Sequence, residues 1–172
     1  STLARRYALQ QNFQVIWEIN AATRETIMDS FERLAYALCT SEEEKQILQG
    51  LQNIKIYAEK DEKILLFVKG KLKTNSKWLL LYDNVEKFTN IRKYFPSDAT
   101  VWGMGRIIIT TSNSNTKNNS LINTFIQIGE LSPSQKRQLF KQIMGNEKAN
   151  PSSQEQEATI FLNDIPPFPL DV

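Results

Sequence analysis

Two short runs of unbroken apolar character, set between stretches of helical periodicity, predict an α/β fold built on a mostly parallel sheet. The first is Trp78-Leu79-Leu80-Leu81-Tyr82 and the second is Arg106-Ile107-Ile108-Ile109-Thr110-Thr111. Strands apolar on both faces suit a sheet covered by helices on both sides, the usual setting of parallel strands. A third run, Phe13-Gln14-Val15-Ile16-Trp17-Glu18-Ile19, alternates apolar and polar except at Ile16 and is rich in β-branched and aromatic residues. It reads as a further strand ahead of the other two.

The remaining elements follow in chain order. Leu3, Ala4, Tyr7 and Ala8 fall on one helical face, giving a helix from Ser1 to about Gln10 with the Ser1 and Thr2 hydroxyls at its start. After the first strand, Ile27, Phe31, Leu34, Ala35 and Leu38 make a helical stripe from Thr23 to about Cys39. Ser41-Glu42-Glu43-Glu44 has the form of a capping box, Ser41 at the N-cap and Glu44 at the third helical position. Ile64, Leu65, Val68 and Leu72 form one more stripe, with Gly70 weakening its later turns. Turn signals at Phe95–Asp98 and Trp102–Gly105 separate the two apolar strands, and the polar stretch 112–120 reads as a loop. Thr124-Phe125-Ile126-Gln127-Ile128 predicts a short fourth strand. Ser132-Pro133-Ser134-Gln135 then opens a helix with Ser at the N-cap, Pro next and Gln at the third position. Leu139, Phe140, Ile143 and Met144 supply that helix's apolar face and Gly145 its stop, with a last helix over about 154–163.

Composition narrows the chemistry. At 172 residues, 41% hydrophobic and 23% charged, this is an ordinary globular composition of about one domain. The absence of His excludes Ser-His-Asp triads, Cys-His dyads and His-containing zinc sites. The lone Cys39 allows no internal disulfide and fits a reducing compartment. A net charge of +2 implies neither a nucleic-acid nor a membrane surface, and Arg5-Arg6 and Lys69, Lys71, Lys73 and Lys77 read as solvated faces. No apolar run approaches the roughly 20 residues of a membrane-spanning helix.

Ligands of parallel α/β sheets bind at the carboxyl ends of the strands. Those ends carry Asp83-Asn84 and Thr111-Ser112-Asn113. A buried strand ending in an acid is what a nucleotidase needs to fix a carboxylate for Mg²⁺, though such an Asp equally marks a turn. Hydroxyl and amide groups after the next strand are placed to sense a phosphate or orient water, or simply to begin a polar loop.

Taken together, these segments resemble the NB-ARC family, within the STAND class of P-loop NTPases. Ser1-Thr2-Leu3-Ala4 is similar to the residues that follow Gly-Lys in a Walker A motif, and Trp78–Val85 resembles the Walker B strand. Gly105–Ser112 resembles the sensor strand. Glu130–Gln135 with Leu139-Phe140 is similar to the "Leu-Ser … Leu-Phe" helix, and Phe168-Pro169-Leu170 stands where the family has Gly-Leu-Pro-Leu. The resemblance implies a P-loop type sheet with helices on both faces, over residues 1–130, and the start of a small helical subdomain over 131–172. It also implies that the Gly-rich loop, its Lys and a central first strand lie upstream of Ser1, so that this sheet lacks its central strand. The chain alone is then expected neither to bind nor to hydrolyse nucleotide appreciably.

By the same resemblance the cofactors are ATP or ADP with Mg²⁺. Ser1 ligates Mg²⁺, Thr2 lies against the α-phosphate, and Asp83 holds Mg²⁺ through water, with Asn84 beside it. Thr111, Ser112 and Asn113 face the γ-phosphate, and Pro169 touches the base. Three positions depart from the family. Ser112 replaces the sensor Arg, leaving Asn113 as a neutral donor. Asn84 replaces a second acid and cannot serve as a general base, and Glu86 is nearby in sequence only. Pro167 replaces a Gly. The function implied is a cytoplasmic nucleotide-dependent switch, in which binding rather than fast turnover orients neighbouring effector and sensor domains and controls self-association. An active P-loop ATPase of another branch and a non-enzymatic interaction module are the alternatives.

Overall fold

The computed structural model describes residues 1–75 and 77–144. The chain divides into two units, 1–124 and 125–172.

Three parallel strands form the centre of the first unit: β1 (Val15–Asn20), β2 (Trp78–Asp83) and β3 (Arg106–Ile109), in the order β1-β2-β3. The register sets Asn20 opposite Asp83 and Tyr82 opposite Ile109. Helix α1 (Thr2–Leu9) precedes β1. Helices α2 (Arg24–Ala37), α3 (Glu42–Leu51) and α4 (Tyr57–Thr74) connect β1 to β2. Two single-turn helices, α5 (Phe88–Ile91) and α6 (Ala99–Trp102), lie between β2 and β3. This is the expected α/β arrangement of a small parallel sheet flanked by helices.

Period-two alternation along β2 feeds two cores. Trp78, Leu80 and Tyr82 enter the larger one with Phe31 and Leu34 of α2, Val68 and Leu72 of α4, and Ile91, Tyr94 and Trp102. Leu79 and Leu81 face the other way, where α1 lays Ala4 and Ala8 beside Phe13, Ile16 and Ile108. Small side chains on α1 let the helix sit close to the sheet. The Tyr82 hydroxyl, fully buried, donates to the Tyr94 carbonyl at 2.6 Å. Burial pushes that phenol well above its ordinary pKa.

Side chains set the starts of α2 and α3. At α2, Thr23 Oγ1 accepts from Thr26 N–H while Thr26 Oγ1 accepts from Thr23 N–H, a reciprocal box built from two threonines. At α3 only half of the expected box forms. Ser41 Oγ accepts from Glu44 N–H, but the Glu44 carboxylate accepts from Thr40 N–H and from Lys71 Nζ on α4, at 2.8 and 2.5 Å. The Lys71 bond, then the Thr40 N–H, holds the Glu44 carboxyl down at about 2. Helix α4 runs through Gly70, whose face is open enough that an added methyl group would meet nothing within 4 Å. Gly103 ends α6 with φ 77° and ψ −177°, a conformation reserved to glycine. Gly105 is required for space instead: a Cβ there would lie 2.0 Å from the buried Trp78 ring.

Two expectations are corrected. Residues 124–128 form no strand. An extended run becomes a strand only when a neighbour completes its hydrogen-bond ladder, and among the described residues the ladders join β1, β2 and β3. The sensor-like strand runs only to Ile109 rather than to Thr111, although Thr110 N–H still donates to the Tyr82 carbonyl at 2.9 Å; beyond it the Thr110 and Thr111 side chains bond Asp83 and the Val85 carbonyl. Within the second unit, α7 (Pro133–Met144) starts on the predicted reciprocal box: Ser132 N–H donates to Gln135 Oε1 at 2.9 Å and Gln135 N–H to Ser132 Oγ at 3.3 Å. The side chains of Leu139, Phe140, Ile143 and Met144, the stop at Gly145, the helix over 154–163, and Pro167 and Pro169 lie outside the described residues. No helix among the described residues is long and apolar enough to cross a membrane.

Candidate functional site

Asp83 closes β2, the middle strand, at the carboxyl end of the sheet. Its buried strand fixes the backbone, and three groups fix the carboxylate. A serine at a helix N-cap ordinarily turns its hydroxyl back onto the first-turn N–H groups. Ser1 makes no such bond; its Oγ donates instead to Asp83 Oδ1 at 2.5 Å. The hydroxyl is thereby spent on the carboxylate, and the first-turn N–H groups of α1 receive no acceptor from it.

Thr110 Oγ1 donates to the same Asp83 oxygen at 2.6 Å and accepts the Asn84 N–H at 3.0 Å. Its own carbonyl accepts the Val85 N–H at 2.9 Å, so one threonine pins the whole turn after β2. Asn84 takes φ 61°, a left-handed conformation that asparagine tolerates better than most residues, and is exposed. On the other carboxylate oxygen, Arg5 Nη2 approaches Asp83 Oδ2 at 3.3 Å. The same guanidinium grips Glu18 of β1 through Nε and Nη2, both at 2.7 Å. Burial pushes the Asp83 carboxyl up, but the hydrogen bonds from Ser1 and Thr110, followed by the charges of the Ser1 ammonium and of Arg5, outweigh it and hold it below the usual carboxylate range.

The sensor-like segment is engaged elsewhere. Thr111 Oγ1 donates to the Val85 carbonyl at 2.5 Å and accepts the Asn113 N–H at 3.0 Å. Asn113 Nδ2 donates to the Glu86 carbonyl at 2.7 Å, while its Oδ1 accepts the Asn115 N–H at 3.0 Å. Both side chains thus stitch the two strand-end loops together through backbone groups, and neither reaches Asp83. A ligand that used the Asn113 amide would displace these bonds. Ser112 and Thr2 are exposed. A shallow cleft of about 350 Å³ lies between Lys87–Thr89 and Asn113–Asn119, and neither Asp83, Ser1 nor Thr110 lines it.

Of the residues expected at the site, Ser1, Asp83 and the adjacent Asn84 are brought together, while Thr111 and Asn113 brace the neighbouring turn and Pro169 lies outside the described residues. Sequence reasoning missed Thr110, Arg5 and Glu18. Thr110 directly follows Ile109, the register partner of Tyr82, which places it across from Asp83; that signal needs the strand register. Arg5 reads as solvated charge, and Glu18 as a polar position of an alternating strand, until helix and strand are docked.

Among the described residues no three of His, Cys, Asp and Glu cluster as a metal cage. The donors at Asp83 are a carboxylate and a hydroxyl, hard oxygens that suit Mg²⁺ when water and a phosphate complete its shell. Set against protein-family models and against curated proteins, the chain matches none.

Proposed function

We propose that this chain is the nucleotide-binding core of a STAND-type switch of the NB-ARC kind. It would take ATP or ADP with Mg²⁺ on a P-loop type sheet completed by a strand and Gly-rich loop upstream of Ser1. The observation that carries the reading is the Ser1–Asp83 hydrogen bond. A helix-initiating serine forgoes its own cap to meet an acid at the end of a buried parallel strand, which is the pairing of hydroxyl and carboxylate that holds Mg²⁺ in P-loop NTPases. Ser1 and Asp83 would share the ion, and the ion would supply charge neutralisation for the nucleotide's phosphates. First-turn N–H groups of α1 would face those phosphates. Asn84, an amide without base strength, favours binding over turnover. The switch would act in the cytoplasm on neighbouring effector and sensor domains of the same polypeptide and on self-association.

The test is calorimetric titration of Mg·ATP and Mg·ADP into the protein carrying its upstream segment, beside its Asp83→Ala form. Saturable binding that Asp83→Ala weakens at least about tenfold, corresponding to about 1.4 kcal/mol, supports the reading. An upstream sequence without Gly-x-x-Gly-x-Gly-Lys, together with no nucleotide binding, overturns it in favour of an interaction module. Steady-state ATP turnover abolished by Asp83→Ala would instead favour an active ATPase.

A further inference from the structure

Arg5 occupies the side of Asp83 that Ser1 and Thr110 leave open. Its Nη2 sits 3.3 Å from Oδ2, and the 2.7 Å fork onto Glu18 prevents the guanidinium from swinging away into solvent. A planar guanidinium held by two parallel bonds is a fixed charge rather than a wandering one. Asp83 therefore carries a resident cation as well as two neutral donors: Ser1 and Thr110 take Oδ1, and Arg5 takes Oδ2. Glu18 has the opposite influence. It anchors Arg5 and also offsets its charge. No such contact with Asp83 exists for Arg6, the next residue on α1, which differs from Arg5 in position rather than charge.

We propose that Arg5 and Glu18 together set the divalent-cation affinity of the Asp83 site, Arg5 as a tethered competitor and Glu18 as its anchor. The inference rests on the reading of Asp83 as a Mg²⁺-holding residue, and it makes Arg5 a positioning residue, not a catalytic one. In the absence of nucleotide the guanidinium keeps the carboxylate neutralised and fixed. A phosphate-bound ion displaces Arg5 from Oδ2, and the guanidinium then remains on Glu18. Bare Mg²⁺ binds weakly for the same reason, so the site responds to the metal–nucleotide complex more than to the free metal.

Mn²⁺ is the probe, titrated into the full chain without nucleotide and read as loss of the free-ion paramagnetic resonance signal, with circular dichroism confirming that each variant is folded. Removing the competing charge in Arg5→Gln should tighten Mn²⁺ binding by about five- to tenfold, the worth of a unit charge a few ångströms away under close to bulk-water screening. Glu18→Gln removes the anchor, frees the guanidinium to leave Oδ2 and should tighten binding, by less than Arg5→Gln because a nearby negative charge is lost with it. Arg6→Gln controls for net charge and should change affinity less than about twofold, because exposed charges beyond contact are screened. An unchanged or weaker affinity in Arg5→Gln, including no detectable binding in any form, overturns the inference, as does an equal gain in Arg6→Gln. Asp83→Asn combined with Arg5→Gln separates the two levels. If the tighter Mn²⁺ binding survives loss of the carboxylate, the Asp83 reading itself fails. If it disappears with the carboxylate, Asp83 holds the ion and Arg5 competes for it.

Discussion

Gly105→Ala tests the close packing of the residue before β3 against Trp78. A Cβ at position 105 would stand 2.0 Å from Trp78 Cδ2 and 2.2 Å from Cε2 and Cε3. Carbon atoms rest at about 3.5–4.0 Å, so the ring or the backbone must move by roughly 1.5 Å. Trp78 is only 2% exposed and shares the larger core with Val68, Leu72 and Trp102, so it has little room to move. The Gly105 backbone lies outside the left-handed region, which leaves crowding as the whole cost. Three ring atoms at this distance put the penalty near the upper end of core overpacking, about 3 kcal/mol. For a domain of this length that corresponds to a fall in Tm of about 6–12 °C by thermal circular dichroism. Trp78→Val removes the three ring atoms nearest the new methyl. In that background Gly105→Ala should cost less than about 1 kcal/mol, a coupling that a double-mutant cycle in urea measures. A wild-type-background loss below about 1 kcal/mol, or equal losses in both backgrounds, would refute the packing argument.

Three other substitutions probe independent features. Tyr82→Phe leaves the buried Tyr94 carbonyl without its donor and should lower the unfolding free energy by about 1–3 kcal/mol in urea titration. Gly70→Ala, on an open face of an 18-residue helix, should raise stability by about 0.5–1 kcal/mol, seen as a higher urea midpoint. Glu44 is held down from its ordinary 4.5 to about 2 by Lys71 first. A carboxyl depressed by folding stabilises above its unfolded value and loses that contribution as pH falls through its folded value. Stability should therefore decline on acidification from about pH 4.5 to about 2, and less steeply in Glu44→Gln. Identical slopes for the two proteins would show that the Lys71–Glu44 bond does not act in solution.

What was legible from the sequence was what local chemistry decides. Trp78–Asp83 could be read as a buried strand because five apolar residues in a row have no other economical place, and Ser132–Gln135 could be read as a helix start because its cap closes within four residues. Thr124–Ile128 carries the right composition for a strand, yet a strand is a relation between two segments, and composition does not supply the partner. The site shows the same division. Asp83 and Ser1 were both singled out, but their contact spans 82 residues of sequence and depends on α1 lying across the sheet. Thr110 rather than Thr111 meets Asp83 because the register sets Ile109 beside Tyr82 and so carries the next residue alongside Asp83. Arg5 looked like one of two interchangeable surface arginines, and only docking against β1 distinguishes it from Arg6.

The left-handed backbone at Asn84 has a consequence for how this turn can change. With φ at 61°, the position accepts glycine, asparagine and aspartate far more readily than any β-branched or bulky residue. Thr110 secures the turn through the Asn84 backbone N–H, leaving the side chain outside the scaffold. The chain can therefore exchange an amide for a carboxylate here by replacing one nitrogen with oxygen, without rebuilding the loop. Inert and basic versions of the same turn are neighbours in sequence space, separated by a single substitution that the fold is already shaped to accept.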